Sequence, residues 1–209
     1  MVKVVSVPRR GPEGSAVPVG SSAPGLLVLV TGVPGTGKSR VADAAGRHLG
    51  AAVFAHDWAM SGLRPYPQIQ EALDAMEPPG HRAVGWSILA ALARSELRRG
   101  RSVVLDGVAR SEEIDLCRHL ANEEAARMLL VATECSDVDL HRQRIEGRQR
   151  SIPDWYELSW KHVARARAGW VTPLSADLVL DGARPWRENA ALLQRRIDSV
   201  AAERSYRAE

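Results

Sequence analysis

The sequence predicts an α/β protein: a parallel sheet with helices on both faces, three layers in all. Three observations carry this. Short apolar runs recur at 26–30, 51–55, 102–106, 128–133 and 176–180. Stretches of helical spacing separate successive runs. The first run ends in a glycine-rich loop that opens directly into a helical stretch. Strands that alternate with helices make βαβ units, which build parallel sheets through right-handed crossovers.

The elements follow in order. Residues 1–24, rich in Pro, Gly, Ser and Val, have no period and read as a mobile tail before a single domain over 25–209. Leu26-Leu27-Val28-Leu29-Val30 is continuously apolar, as a strand buried on both faces must be. Val41, Ala44, Ala45 and Leu49 give Lys38–Leu49 a helical face, and Gly50 stands where a helix stops. Ala51–Ala55 is a second strand followed by His56 and Asp57. Residues 58–81 are punctuated by Pro and Gly and read as irregular, with a short helix near Gln68–Met76. Val84–Arg99 reads as a long helix closed by Gly100, and Ser102–Asp106 as the third strand. Ser111, followed by Glu112 and Glu113, reads as the N-cap of the next helix. Met128–Thr133 is the fourth strand; Asp137–Arg148 and Asp154–Gly169 read as two helices around a loop. Ala176–Leu180 is the fifth strand, and Pro185 starts a last helix that reaches about Ala202.

Composition narrows the function classes. The hydrophobic fraction is 45% and the charged fraction 25%, as in an ordinary globular domain. There is no apolar run of membrane-spanning length and no leader-like segment, which makes a cytoplasmic location the expectation. Cys117 and Cys135 match no metal spacing and read as small buried apolar residues. A net charge of +3 is too weak to argue for nucleic acid.

The strongest motif is Gly32-Val33-Pro34-Gly35-Thr36-Gly37-Lys38-Ser39, which fits G-x-x-x-x-G-K-[ST] between a buried strand and a helix. Its glycines let backbone N–H groups turn toward phosphate, and the helix N-terminus adds its dipole. Lys38 is expected on the β- and γ-phosphates of a nucleoside triphosphate and Ser39 on Mg²⁺. ATP is favoured over GTP because no Asn-Lys-x-Asp motif occurs.

Ligands of open α/β sheets bind beyond the C-terminal strand ends, and two acids stand there. Asp57 follows the second strand, where it could accept a hydroxyl proton or simply cap the segment from Trp58. Asp106 closes the third strand, placed to hold magnesium or substrate. Arg110 could touch substrate or a phosphate, or be solvated. In the run His141–Arg150, Arg144 and Arg148 are four apart and so expected on one helix face. There they could stack on adenine and neutralise phosphate, or form a solvated face. Trp155, Tyr156, Trp160 and Trp170 could pack a mobile lid over about 141–170, or form core beneath the helix pair.

With these residues in hand, the chain resembles the small P-loop kinases over about residues 26–202. Within them it looks like the group that contains the kinase domain of polynucleotide kinase, chloramphenicol phosphotransferase, zeta toxins and many AAA-type ATP-binding proteins. The matching residues are the phosphate loop, Asp57, Gly100, Asp106, Arg144 with Arg148, and Leu180-Asp181-Gly182-Ala183-Arg184-Pro185. The resemblance implies a five-stranded sheet of order 2-3-1-4-5 and transfer of the γ-phosphoryl of ATP to a hydroxyl. It implies Asp57 as base, Arg144 over the adenine and Gly182 to Arg184 along its other side. Residues 58–84 match no acceptor motif of the group. The expected acceptor is a small hydroxylated molecule such as a nucleoside, a sugar or an antibiotic. The alternatives are a polynucleotide 5′-hydroxyl kinase, which the low net charge and the lack of an aromatic-basic motif argue against, and an ATP-hydrolysing switch without an acceptor.

Overall fold

The structure, a computed structural model, describes residues 25–77 and 80–202. The tail expected over 1–24 lies outside them. Five strands form one parallel sheet: β1 (Leu26–Thr31), β2 (Ala52–Ala55), β3 (Val103–Asp106), β4 (Arg127–Glu134) and β5 (Leu178–Asp181), in the order β2-β3-β1-β4-β5. The order is the expected one. Every residue of β1 is buried, because it is the central strand with helices above and below.

Eight helices connect the strands among the described residues: α1 (Lys38–Leu49), α2 (His56–Ser61), α3 (Pro67–Asp74), α4 (Gly80–Leu97), α5 (Ser111–Glu123), α6 (Val138–Glu146), α7 (Trp160–Ala168) and α8 (Trp186–Ala202). Two apolar layers flank the sheet. On one face Val28 and Val30 of β1 pack with Val41 and Ala45 of α1 and Leu193 and Ile197 of α8. On the other, Leu27 and Leu29 pack with Trp86 and Leu89 of α4 and Ile114 and Leu120 of α5. Alternate residues of one strand thus feed opposite cores, as the two-residue strand period requires.

Several boundaries differ from expectation, and the reasons are physical. Residues 58–61, expected irregular, belong to α2: the His56 ring packs against Trp86 of α4 at 6.0 Å between centroids, which ties the chain down as it leaves β2. Helix α4 starts at Gly80 rather than Val84, because burial of Trp86 and Leu89 outweighs the low helix propensity of Gly80 and Gly85. Ser111 is not a cap; Arg110 is the N-cap residue, and its backbone N–H donates to the Glu113 carboxylate at 2.7 Å. Helix α7 begins at Trp160, not Asp154, since Ser151 and Asp154 hold left-handed φ of 52° and 55° that no α-helix admits. Strand β5 begins two residues late because Asp177 is used otherwise: its carboxylate accepts the Leu130 N–H at 2.8 Å. Both cysteines are free and buried, as expected.

Candidate functional site

The phosphate loop joins β1 to α1 at the C-terminal edge of the sheet. Gly35 has φ +88°, and a Cβ there would meet Ile145 Cδ1 at 2.6 Å, so glycine serves both the turn and the packing of α6 against the loop. The first turn of α1 has no side-chain cap, which leaves its amides free to face an anion. Beneath the loop lies a buried polar chain. Thr36 Oγ1 donates to the Val33 carbonyl at 2.8 Å and sits 2.6 Å from Thr133 Oγ1; Thr133 donates onward to the Thr31 carbonyl at 3.2 Å. The Thr31 hydroxyl accepts the Ala109 N–H at 2.9 Å, which fastens the segment after β3 to the same strand.

Lys38 reaches back across the loop and donates to the Val33 carbonyl at 3.1 Å. Burial lowers its pKa and outweighs the opposing pull of Asp106 and Asp57; Arg148 and Arg150 lower it further. Asp106 is only 6% exposed. Burial raises its pKa against the charge of Lys38 and a hydrogen bond from Ser39. One of its oxygens, Oδ1, is buried without a hydrogen-bond partner. An orphaned carboxylate oxygen beside the Ser39 hydroxyl is the oxygen donor set that magnesium takes, so these two residues fit that ion.

Asp57 occupies the second position of α2 and does not cap it. Burial pushes its pKa up, but a hydrogen bond from His56 and the charges of Arg150, His56 and Lys38 more than reverse this and leave it below the ordinary value. Its main partner is Arg150, whose Nη1 donates to Asp57 Oδ2 at 2.5 Å. Arg150 also donates to the Tyr156 carbonyl at 2.7 Å and pairs with Glu157 at 3.2 Å. One guanidinium therefore closes residues 150–157 into a strap over Asp57.

A cavity of about 870 Å³ contains Lys38, Ser39, Asp57, Asp106 and Arg148 in its walls. The rest is made by α2–α4 and the strap, with Trp58, Met60, Ile152, Trp155 and Tyr156 on its apolar side. Trp155 and Tyr156 stack at 5.1 Å, and Tyr156 is 54% exposed. These aromatics are cavity wall, not core beneath a helix pair.

Arg144 and Arg148 do not share a helix face. Helix α6 stops at Glu146 with Gly147 as its C-cap, so Arg148 lies past the helix end and enters the cavity. Arg144 points the other way and donates to the Gly182 carbonyl at 2.9 Å. It thereby joins the turn after β5, where exposed Arg184 lies and Asp181 anchors Ser136 at 2.6 Å. Arg110 lines a separate pocket of about 220 Å³ with Val33, Pro34 and Trp170. The sequence reading missed Arg150. It also missed His141, which is wholly buried and bonded through Nε2 to the Pro34 carbonyl at 2.7 Å. The run of arginines after 141 was the signal for the first; nothing in the sequence distinguished the second.

A phosphate loop with strand-end acids on a 2-3-1-4-5 sheet defines the class: a P-loop protein with a kinase-like fold. The chain belongs to the family described as AAA domain, whose model matches residues 27–180. It is similar to a UPF0200 protein of Aeropyrum pernix, at 35% identity over 97 residues, 44% of this chain. The match spans about half the length of that relative, 50%. Among solved structures the chain is similar to a gluconokinase from Sinorhizobium meliloti 1021, with TM-score 0.63, 18% identity and coverage of 90% of this chain and 99% of that one. It is also similar to the Mycobacterium tuberculosis APS kinase CysC in complex with AMPPNP and APS, with TM-score 0.56, 21% identity and coverage of 84% and 98%. A shikimate kinase from Bacteroides thetaiotaomicron gives TM-score 0.54, 16% identity and coverage of 85% and 98%. Among the described residues no helix is long and apolar enough to cross a membrane.

Proposed function

We propose that the chain is an ATP- and Mg²⁺-dependent phosphotransferase that moves the γ-phosphoryl group to a hydroxyl of a small molecule such as a nucleoside, a sugar or an antibiotic. The observation that carries the reading is convergence: Lys38, Ser39, Asp57, Asp106 and Arg148 all line one cavity. The glycine loop holds the phosphates by its backbone N–H groups, and Lys38 and Arg148 take the γ-phosphoryl oxygens. Asp106 and Ser39 would hold magnesium, which would supply positive charge against the phosphate oxygens. Asp57 accepts the proton of the acceptor hydroxyl as that oxygen bonds to the γ-phosphorus and the bond to the bridging oxygen of ADP breaks. Arg144 and the turn it bonds to, Gly182 to Arg184, together border the adenine. The segment from about 141 to 170 serves as the lid, with Arg150 as its catch on Asp57.

The test is transfer of label from γ-labelled ATP with Mg²⁺ into a metabolite extract, with a 5′-hydroxyl oligonucleotide run alongside. Label in a small molecule, lost in Lys38→Ala and Asp57→Ala, is the expected result. Label in the oligonucleotide alone would make the chain a polynucleotide kinase. Inorganic phosphate alone, unchanged by Asp57→Ala, would make it a switch with no acceptor.

A further inference from the structure

The charges inside the cavity do not balance, and the imbalance has a location. Lys38 faces Asp106 and Asp57, Arg82 pairs with Glu113 at 2.6 Å, and Arg150 pairs with Asp57 and Glu157. Asp74 is hydrogen-bonded to His81 at 3.0 Å. Exposed Asp43 stands at the phosphate-loop end, where its charge acts on Asp106. Three cations of the cavity wall, Lys38, Arg148 and Arg64, have no carboxylate within ion-pair distance among the described residues, and Lys38 lies at the phosphate loop itself. Arg148 stands among Arg150, Glu157, Asp57 and Asp106, whose charges act on it, and in the phosphotransferase reading it faces the γ-phosphoryl group. The γ-phosphoryl group supplies its counter-charge.

Arg64 has no such partner. It follows α2 on the turn into α3 and is held in place by neutral groups alone. Its Nη1 donates to Gln70 Oε1 at 3.3 Å, and Gln70 is itself fixed by donation to the Leu63 carbonyl at 3.1 Å. Its guanidinium lies over the rings of Trp155 and Tyr156, at 5.4 and 5.7 Å from their centroids. Its Nε is buried without a hydrogen bond. A fixed cation with an orphaned N–H, walled by aromatic rings, is costly unless an anion completes it, and the guanidinium fork fits a planar or tetrahedral oxyanion.

We propose that the phosphoryl acceptor is an anionic hydroxy compound, with a carboxylate or phosphate group seated on Arg64 while its hydroxyl meets Asp57. This deepens the phosphotransferase reading and rests on it. The anion orients the acceptor, and the strap closes over it through Trp155 and Tyr156. The transfer step is unchanged: the hydroxyl oxygen gains the phosphoryl group, Asp57 takes the proton and ADP leaves.

The experiment divides a dialysable cell extract on an anion-exchange resin into an unretained neutral fraction and a salt-eluted, desalted anionic fraction. Each is offered to the full chain with γ-labelled ATP and Mg²⁺. Label in a product of the anionic fraction is expected. Phosphatase treatment of that fraction beforehand abolishes the acceptor if its anion is a phosphate ester and spares it if it is a carboxylate. Arg64→Met keeps the stem without the charge and raises the acceptor KM relative to the ATP KM at least tenfold; Arg64→Lys recovers part of the loss. Label in the neutral fraction alone overturns the proposal and leaves the phosphotransferase reading standing. An unchanged ratio of KM values in Arg64→Met also overturns it, because Arg64 then only props the strap. Label in neither fraction brings down the phosphotransferase reading and this proposal with it.

Discussion

The two ends of the cavity are built by different means. The phosphate-loop end is local: eight consecutive residues, a buried strand before them and a helix after them, with Lys38 folded back onto a carbonyl five residues earlier. The end proposed for the acceptor is assembled from afar. Asp57 meets Arg150 across 93 positions of sequence, and the cavity wall there draws on α2, α3, α4 and the strap. A motif can specify the first kind of site because its geometry is set by backbone conformation over a few residues. The second depends on long side chains meeting after the sheet has formed. Changes at the phosphate-loop end should therefore abolish chemistry without loosening the fold, whereas changes at the acceptor end should alter acceptor handling and its pH dependence.

The largest effect sharpens the first half of that comparison. Lys38→Ala is expected to lower phosphoryl transfer by about 10³-fold, the upper range for removing one positioned electrostatic donor. Its thermal unfolding should stay close to the parent's, since burial makes the charged lysine a cost to the folded state. A large drop in melting temperature would show that the lysine holds the loop together. Next comes Asp57→Asn, expected to cost about 10²–10³-fold in kcat, within the range for loss of a general base. Nucleotide affinity, read by titration with a fluorescent ATP analogue, should change little. Equal weakening of ATP binding would move Asp57 from the acceptor end to the nucleotide end.

Arg150→Gln tests the acceptor end directly. Arg150 helps hold the Asp57 carboxyl below its ordinary range, so its removal lets that pKa rise. The acid limb of the pH–rate profile should then move to higher pH, with a larger loss of transfer on the acid side than at about pH 8, where the carboxylate is ionised in either protein. A parallel loss at every pH would mean that Arg150 acts only by holding the strap closed.

This division also explains what could be read in advance. The five parallel strands, the phosphate loop and the two strand-end acids were legible, because alternating apolar runs, a fixed glycine spacing and the rule of ligands at strand ends are all short-range signals, whereas the strand order followed only from the resemblance to small P-loop kinases. The expectation that Arg144 and Arg148 share a face failed at one residue. Gly147 ends α6, and the two guanidiniums part, one to Gly182 and one to the cavity. The strap was hidden for a related reason. Left-handed Asp154 interrupts a stretch that reads as a helix from that residue, and the bonds that reward this come from Arg150. His56 follows the second strand with nothing in the sequence to single it out, and its socket is supplied by α4. A Cβ at Gly85 would meet the His56 Nε2 at 2.3 Å, so that glycine marks a packing site on another element.

The smallest expected effect concerns His141, which joins the helices after β4 to the phosphate loop. It bonds through Nε2 to the Pro34 carbonyl of the loop, which makes Nε2 the donor, so Nδ1 accepts from Arg167 Nη1 at 3.0 Å. Arg167 donates in turn to the Cys135 carbonyl at 2.7 Å, and the Trp160 ring stands edge-on to the imidazole at 5.3 Å. Only the neutral imidazole satisfies both bonds. Burial lowers the His141 pKa, and the cations Arg167 on α7, Arg144 on α6 and Lys38 on α1 lower it further against the pull of the Pro34 carbonyl. The folded state therefore binds this proton less readily than the unfolded chain, whose histidines titrate near about 6.5. In the window below that value the unfolded state holds the extra proton, so stability falls as pH falls and levels off beneath the folded pKa. His141→Gln can keep a donor toward Pro34 and an acceptor toward Arg167 while removing the titration. Urea midpoints taken at pH 7.5 and 5.5 should differ less in the glutamine protein than in the parent, with near-equal values at the higher pH. The same pH dependence in both proteins would mean that acid sensitivity comes from other groups and that His141 joins the lid helices to the loop as an uncharged strut.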